Sequence, residues 1–246
     1  MSKKFRGKRC AYCGDAQSTT EDHIFAREFF LPEDRGNLPK APACASCNNE
    51  KSKLEQYFTS ILPFSGRHDQ AVVNLQTRVP PRLQRNRKLH EELATTLRRG
   101  WLRENAGLFL SGITFAIDGE RLEELVSFIV RGLMWHHWRT YLSQQDLVVV
   151  MFLTGAGAAG FEKYVFTLET ARRVSNELGR GTVRYEGAQA TDPPELTIWR
   201  LSMYGGLLLA GEQNDPATPA ETSSQWAAIT GPLSAREILN NLKRLK

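Results

Sequence analysis

Residues 10–52 read CAYCGDAQSTTEDHIFAREFFLPEDRGNLPKAPACASCNNEKS. Two Cys-x-x-Cys pairs frame this stretch, Cys10 with Cys13 and Cys44 with Cys47, and they use all four cysteines of the chain. Two thiolates spaced by two residues reach one metal from a tight turn, and two such turns complete a tetrahedral all-cysteine zinc site. Four thiolates leave no position open for water, so the zinc is expected to be structural, its binding free energy appearing as folding free energy. The 30 residues between the pairs exceed the spacing of a simple zinc ribbon, which implies a structured insert.

Inside that insert Asp22 and His23 are adjacent. In an extended segment they point to opposite sides of the chain, so one can hold a metal while the other addresses water where the strand ends. Asn48 follows the last cysteine and is expected in the first turn of a helix, with Lys51 three residues on and near the same face. These residue types suit phosphodiester hydrolysis. Neutral imidazole takes a proton from water at physiological pH. A divalent ion on the scissile phosphate stabilises the developing negative oxygens. One carboxylate and one amide form a sparse oxygen set, which suits Mg²⁺ because that ion keeps waters and takes substrate oxygens.

The ordered pattern Cys-x-Tyr-Cys-Gly, Asp-His-Ile, Gly-Asn-Leu-Pro and Cys-x-x-Cys-Asn-x-x-Lys-Ser resembles the HNH (ββα-metal, His-Me finger) endonuclease family. The resemblance covers residues 10–52, about a fifth of the chain. It implies that His23 is the general base, that Asn37 braces the loop between two strands and helps to orient His23, and that Asn48 is the third signature residue. It further implies that Asp22 and Asn48 hold one catalytic Mg²⁺ or Mn²⁺, and that the substrate is double-stranded DNA. The chain departs from the family at Phe25-Ala26-Arg27, where a proline after Asp-His-Ile is common.

The 246 residues carry a net charge of +5, unevenly spread. Residues 1–9 hold five bases (Lys3, Lys4, Arg6, Lys8, Arg9) and no acid, and residues 67–103 hold nine bases against three acids. Two basic patches on an otherwise acidic chain point to a polyanionic partner. Phosphate contacts are assigned to those five N-terminal bases, to Arg82, Arg85, Arg87 and Lys88 in the second patch, and to Arg27 and Lys51 in the insert. Such contacts supply affinity and salt sensitivity rather than sequence readout. No apolar run approaches a membrane span, the longest being Leu147 to Leu153, and the basic N-terminus lacks the apolar stretch of a signal peptide. A cytoplasmic, reducing location is the expectation, and there paired cysteines are metal ligands rather than disulfides.

The expected fold class is α+β: a small zinc-stapled ββα-metal module (1–62), a basic helical connector (63–104) and a larger mixed α+β domain (105–246). Leu54, Phe58, Ile61 and Leu62 fall on one helical stripe. Pro80-Pro81 are expected to break any helix and set an extended turn, followed by a basic amphipathic helix stopped by Gly100. A strand or hairpin is expected over 107–118. Asp118 is expected to cap a long helix with the stripe Leu122, Leu125, Val126, Ile129 and Leu133. Further strands are expected at 146–153, 182–187 and 196–211, with a turn at Gly205-Gly206, then a linker over 212–233 and a short helix opened by a Ser234–Glu237 capping box.

Three other signals carry less. Gly155, Gly157 and Gly160 spell a dinucleotide fingerprint, but no second βαβ unit follows. His90-Glu91-Glu92 begins like a zinc-protease motif and lacks the second histidine. His136 and His137, beside Trp135 and Trp138 on an apolar helix, read as core residues.

Residues 105–246 exceed what such a nuclease needs, which leaves room for a sensor, target-selection, partner-docking or oligomerisation role. Two alternatives follow: a non-catalytic zinc-dependent nucleic-acid-binding module, and a nuclease effector gated by its C-terminal domain in a defence or phage system. Double-strand cleavage by a module that cuts one strand per visit favours a homodimer.

Overall fold

The computed structural model describes residues 5–103, 109–114, 116–153, 158, 161, 170–206 and 225–232. The expectations for Lys3, Lys4, the glycine fingerprint at 155–160 and the C-terminal helix fall largely or wholly outside these residues. The fold is α+β.

The N-terminal region is a hairpin and a helix. Strands β1 (Thr20–His23) and β2 (Lys40–Ala43) pair antiparallel, with Asp22 opposite Ala41 and His23 opposite Lys40. Helix α1 (Ala45–Ile61) follows at once, with Cys44 as its N-cap, and buries Leu54, Tyr57, Phe58 and Ile61 along the expected stripe. Helices α2 (Asp69–Thr77), α3 (Val79–Arg85) and α4 (Arg87–Thr96) come next. Pro80 and Pro81 do not produce an extended turn. They lie in the first turn of α3, where a missing N–H is no loss because those groups have no intrahelical partner. The basic helix is also shorter than its pattern suggested. It ends at Thr96, and Gly100 lies inside strand β3 (Arg98–Arg103), which pairs antiparallel with β4 (Phe109–Thr114).

Helix α5 (Gly119–Trp138) starts as expected: the Asp118 carboxylate accepts from the Arg121 backbone N–H at 3.1 Å. Its stripe of Leu122, Leu125, Val126, Ile129 and Leu133 is buried to 0–1% exposure. Gly132 lets α5 approach the module closely, since a Cβ there would stand 3.0 Å from Ile24 and 3.2 Å from Tyr12. One residue earlier, the Arg131 guanidinium donates to the carbonyls of Tyr12, Leu142, Ser143 and Asp146.

The C-terminal half is a five-stranded antiparallel sheet in the order β5-β9-β8-β7-β6. Its strands are β5 (Leu147–Leu153), β6 (Thr170–Leu178), β7 (Val183–Ala190), β8 (Thr197–Met203) and β9 (Gln225–Gly231). Strand β9 corrects the linker expected over 212–233. Trp226, Ala227, Ala228 and Ile229 are buried there between β5 and β8, an environment that favours a short apolar run over a loop. Strand β6 was also missed, because TARRVSNEL has too little alternation to read as a strand.

One continuous core joins these parts. It runs from Cys10, Tyr12 and Phe25 through α1 and α5 to Tyr185, Trp199 and Trp226. No described helix is long and apolar enough to cross a membrane.

Candidate functional site

The four cysteines converge. Their Sγ atoms lie within 4.8 Å of one another; Cys10, Cys44 and Cys47 are buried and Cys13 is half-buried. The first pair sits in a turn closed by Gly14, whose φ of +75° suits glycine and whose N–H donates to the Cys10 carbonyl at 3.0 Å. The second pair opens α1, and the Cys44 N–H donates to Cys10 Sγ at 3.3 Å. The hydrogen bond that Cys47 donates pushes Cys10 down to about 4 and raises Cys47 itself. Four sulfurs converging in one closed set fit a structural zinc ion.

Consecutive residues of β1 face different surroundings. Asp22 is turned inward. Its Oδ2 accepts from the Tyr12 hydroxyl at 2.5 Å and lies 2.9 Å from the Lys51 ammonium. Lys51 is fully buried. It also donates to the His23 carbonyl at 2.8 Å and pairs with Glu55 one turn later on α1. Burial pushes the Glu55 carboxyl up to about 7 despite the ammonium beside it. Burial and the negative charge of Asp22 push the Tyr12 phenol upward. These four side chains form one closed polar network between the first zinc turn, β1 and α1.

His23 faces the other way, into a concavity of about 460 Å³ lined by His23, Arg27, Arg35, Asn37, Leu38 and Lys40. Half-burial pushes its imidazole below the ordinary histidine range, and Lys40, Arg27 and Lys51 push the same way, against Asp22. The ring is therefore neutral at pH 7, with a lone pair available. Asn37 is exposed and in the left-handed region at φ +56°, ending the loop just before Leu38 and β2. Arg35 is tied to Glu28 at 3.0 Å and Lys40 to Glu21 at 2.8 Å. The exposed Arg27 guanidinium has no partner among the described residues.

The structure thus brings His23, Asn37 and Arg27 to one surface and places Asp22 behind them. Asn48 is half-buried in the first turns of α1, three residues before Lys51 and on its face, and its side-chain amide makes no hydrogen bond among the described residues. The second oxygen of Asp22, Oδ1, likewise accepts none. The ion pair with Lys51 leaves Asp22 one unengaged carboxylate oxygen.

Two residues expected on the nucleic-acid surface are placed elsewhere. Lys51 is sealed in the network above. Arg82 is largely covered, donating to Thr59 O at 2.6 Å and pairing with Glu28 at 2.8 Å. Arg6, Lys8, Arg9, Arg85, Arg87 and Lys88 are exposed, although Lys8 leans on the rings of Phe5 and Trp135, and Arg9 on Tyr141. His136 and His137 are held by the fold, His136 Nδ1 lying 3.2 Å from Lys40 O and His137 Nε2 3.0 Å from the Tyr185 hydroxyl. Sequence reasoning missed Tyr12, Glu55 and Arg35. Lys51-x-x-x-Glu55 is an i,i+4 pair on the face of Leu54 and Phe58, and that spacing was the available signal. Compared with known proteins, the chain matches no family model, no curated protein and no solved structure.

Proposed function

We propose that this protein is a zinc-stapled metal-dependent endonuclease of the HNH type, with His23 as general base. The observation that carries the reading is the concavity itself. It presents a neutral imidazole among Arg27, Arg35 and Lys40 with no carboxylate in its lining, an arrangement that attracts a phosphodiester and can deprotonate water beside it. The antiparallel hairpin and the helix opened by a candidate zinc ligand support it.

In this reading the phosphate lies across the end of β1, where the strand stops at His23. Arg27 binds a non-bridging oxygen. His23 takes the proton of the attacking water. Lys51 pairs with Asp22 and, through its bond to the His23 carbonyl, holds the end of β1 in place. Asp22 and Asn48 would hold the divalent ion, which supplies charge stabilisation at the scissile phosphate when bound. Exposed Arg85, Arg87 and Lys88 extend the positive surface along α3 and α4. Double-stranded DNA is the substrate proposed.

The test is cleavage of plasmid DNA with Mg²⁺ or Mn²⁺ by the zinc-loaded protein and by His23→Ala. The wild type is expected to cleave, and the variant to lose at least about 100-fold in rate. Equal cleavage by both removes His23 from the mechanism.

A second reading, a module that grips nucleic acid without cutting it, draws on the Lys51 ammonium already seated on Asp22. It predicts that zinc-loaded protein binds DNA but takes up no second, weaker divalent ion in a calorimetric titration.

A further inference from the structure

Residues 24–39 leave β1 and return to β2, and on the way they supply Arg27, Arg35, Asn37 and Leu38 to the concavity. An excursion of this length loses much conformational entropy when ordered. The groups that order it come from distant sequence. Phe29 and Phe30 are fully buried. The Tyr204 hydroxyl, just past β8, donates to the Phe29 carbonyl at 2.7 Å, and Asn74 of α2 donates to the same oxygen at 3.1 Å. Phe30 packs on Gly179 so closely that a Cβ there would stand 2.4 Å from its ring.

The tip of the excursion is held by charge. Asp34 is 11% exposed and receives the Arg180 guanidinium as a fork, Nε to Oδ1 at 2.9 Å and Nη2 to Oδ2 at 2.8 Å. Gln70 also donates to Asp34 and, at 3.2 Å, to Gly179 O, while Thr182 donates to Gln70 at 2.6 Å. The turn between β6 and β7 is shaped for this contact, with Gly179, Arg180 and Gly181 at φ +56°, +52° and +88°. Asp34 directly precedes Arg35 and stands three residues before Asn37, both in the lining of the concavity.

We propose that the β6–β7 turn is a positioning clamp for the phosphate-facing loop, with Arg180 acting through Asp34 to hold Arg35 and Asn37 in place. The five-stranded sheet thereby preorganises one wall of the site, so that phosphate binding does not have to order the loop. The kinetic consequence rests on the nuclease reading; the structural one does not.

The experiment compares zinc-loaded full-length wild type, Arg180→Ala and Arg180→Lys. Amide hydrogen exchange over residues 31–38 is expected to quicken about tenfold or more in Arg180→Ala, with exchange in α1 and zinc content unchanged. Arg180→Lys should fall between, because an ammonium keeps the charge but not the fork. On plasmid DNA, Arg180→Ala should raise KM several-fold with kcat near wild type, the pattern of lost ground-state binding. Unchanged exchange over 31–38, or an equal rise across α1, overturns the clamp. A wild type that cleaves nothing overturns the nuclease reading instead, and the exchange data still decide the clamp.

Discussion

The two sides of β1 are built from neighbouring residues and solve opposite problems. Behind the strand, Tyr12, Asp22, Lys51 and Glu55 surround one fully buried ammonium with two carboxylates and a phenol. In front, His23, Arg27, Arg35 and Lys40 line a concavity in which the carboxylates that pair with Arg35 and Lys40 stand outside the lining. The rear face, Asp22 Oδ1 aside, satisfies its charges internally and so contributes chiefly to the folding equilibrium. The front face keeps one cation without a partner among the described residues, Arg27, and in the proposed reading that is where an outside anion binds. Alternation of side chains along a strand lets one dipeptide, Asp22-His23, serve both.

The largest effect breaks both faces together. Structural zinc contributes on the order of 10 kcal/mol or more, comparable to the whole stability of a domain. Cys44 is at once a ligand candidate and the N-cap of α1, so metal loss also frees the start of the helix that carries Lys51. Chelation, or Cys44→Ser, is expected to abolish cooperative unfolding as followed by circular dichroism, with one zinc released per chain. A cooperative transition that survives zinc removal refutes the staple.

The next effect separates the faces. Lys51→Met leaves Asp22 and Glu55 buried without their cation and should cost about 3–5 kcal/mol in urea unfolding. Arg27→Ala removes an exposed cation that has no partner among the described residues, and should change stability by no more than about 0.5 kcal/mol. It should instead weaken binding of a short DNA duplex and reduce the salt dependence by about one counterion. Equal destabilisation by the two variants erases the distinction between the faces.

What was legible in the sequence follows the range of the interaction. The cysteine pairs, the Asp118 cap and the apolar stripes of α1 and α5 are local patterns, and the structure carries each of them. Pro80-Pro81 misled because proline forbids a helix interior but suits a first turn, and only the neighbouring helix end tells the two apart. Strand β9 was hidden because its identity comes from β5 and β8 on either side, not from its own pattern. Of the candidate site, His23 and Asn37 are motif positions that line the concavity. Its walls were not, since Asp34 finds Arg180 across a sequence separation of 146 residues.

The smallest effect asks how far partial burial, without a carboxylate partner, sets protonation. His137 is half-buried against Trp138, Tyr185 and Trp199, and burial, with His136 and Arg139 adding to it, pushes its ring down to about 4. In the unfolded chain the same ring titrates near the ordinary value of about 6.5. Above pH of about 6.5 both states carry it neutral and it contributes no pH dependence. From there down to about 4 the unfolded chain holds the extra proton, so its contribution to stability falls as pH drops. Below about 4 both states are protonated and the slope ends. His137→Phe keeps an aromatic ring in the cluster, and the Tyr185 hydroxyl retains its bond from Asn176 at 3.2 Å. The difference in unfolding free energy between wild type and His137→Phe should therefore shift in favour of the variant between pH 7 and 5, by about 1 kcal/mol once the linkage value of about 2 kcal/mol is reduced for solvent screening of a half-buried ring. His23 provides the contrast: it is also pushed down, but it opens onto the concavity, so an added DNA duplex should move its titration, read by its ring proton resonances, and leave that of His137 unchanged. If both rings shift on binding, the aromatic cluster and the concavity are not independent environments.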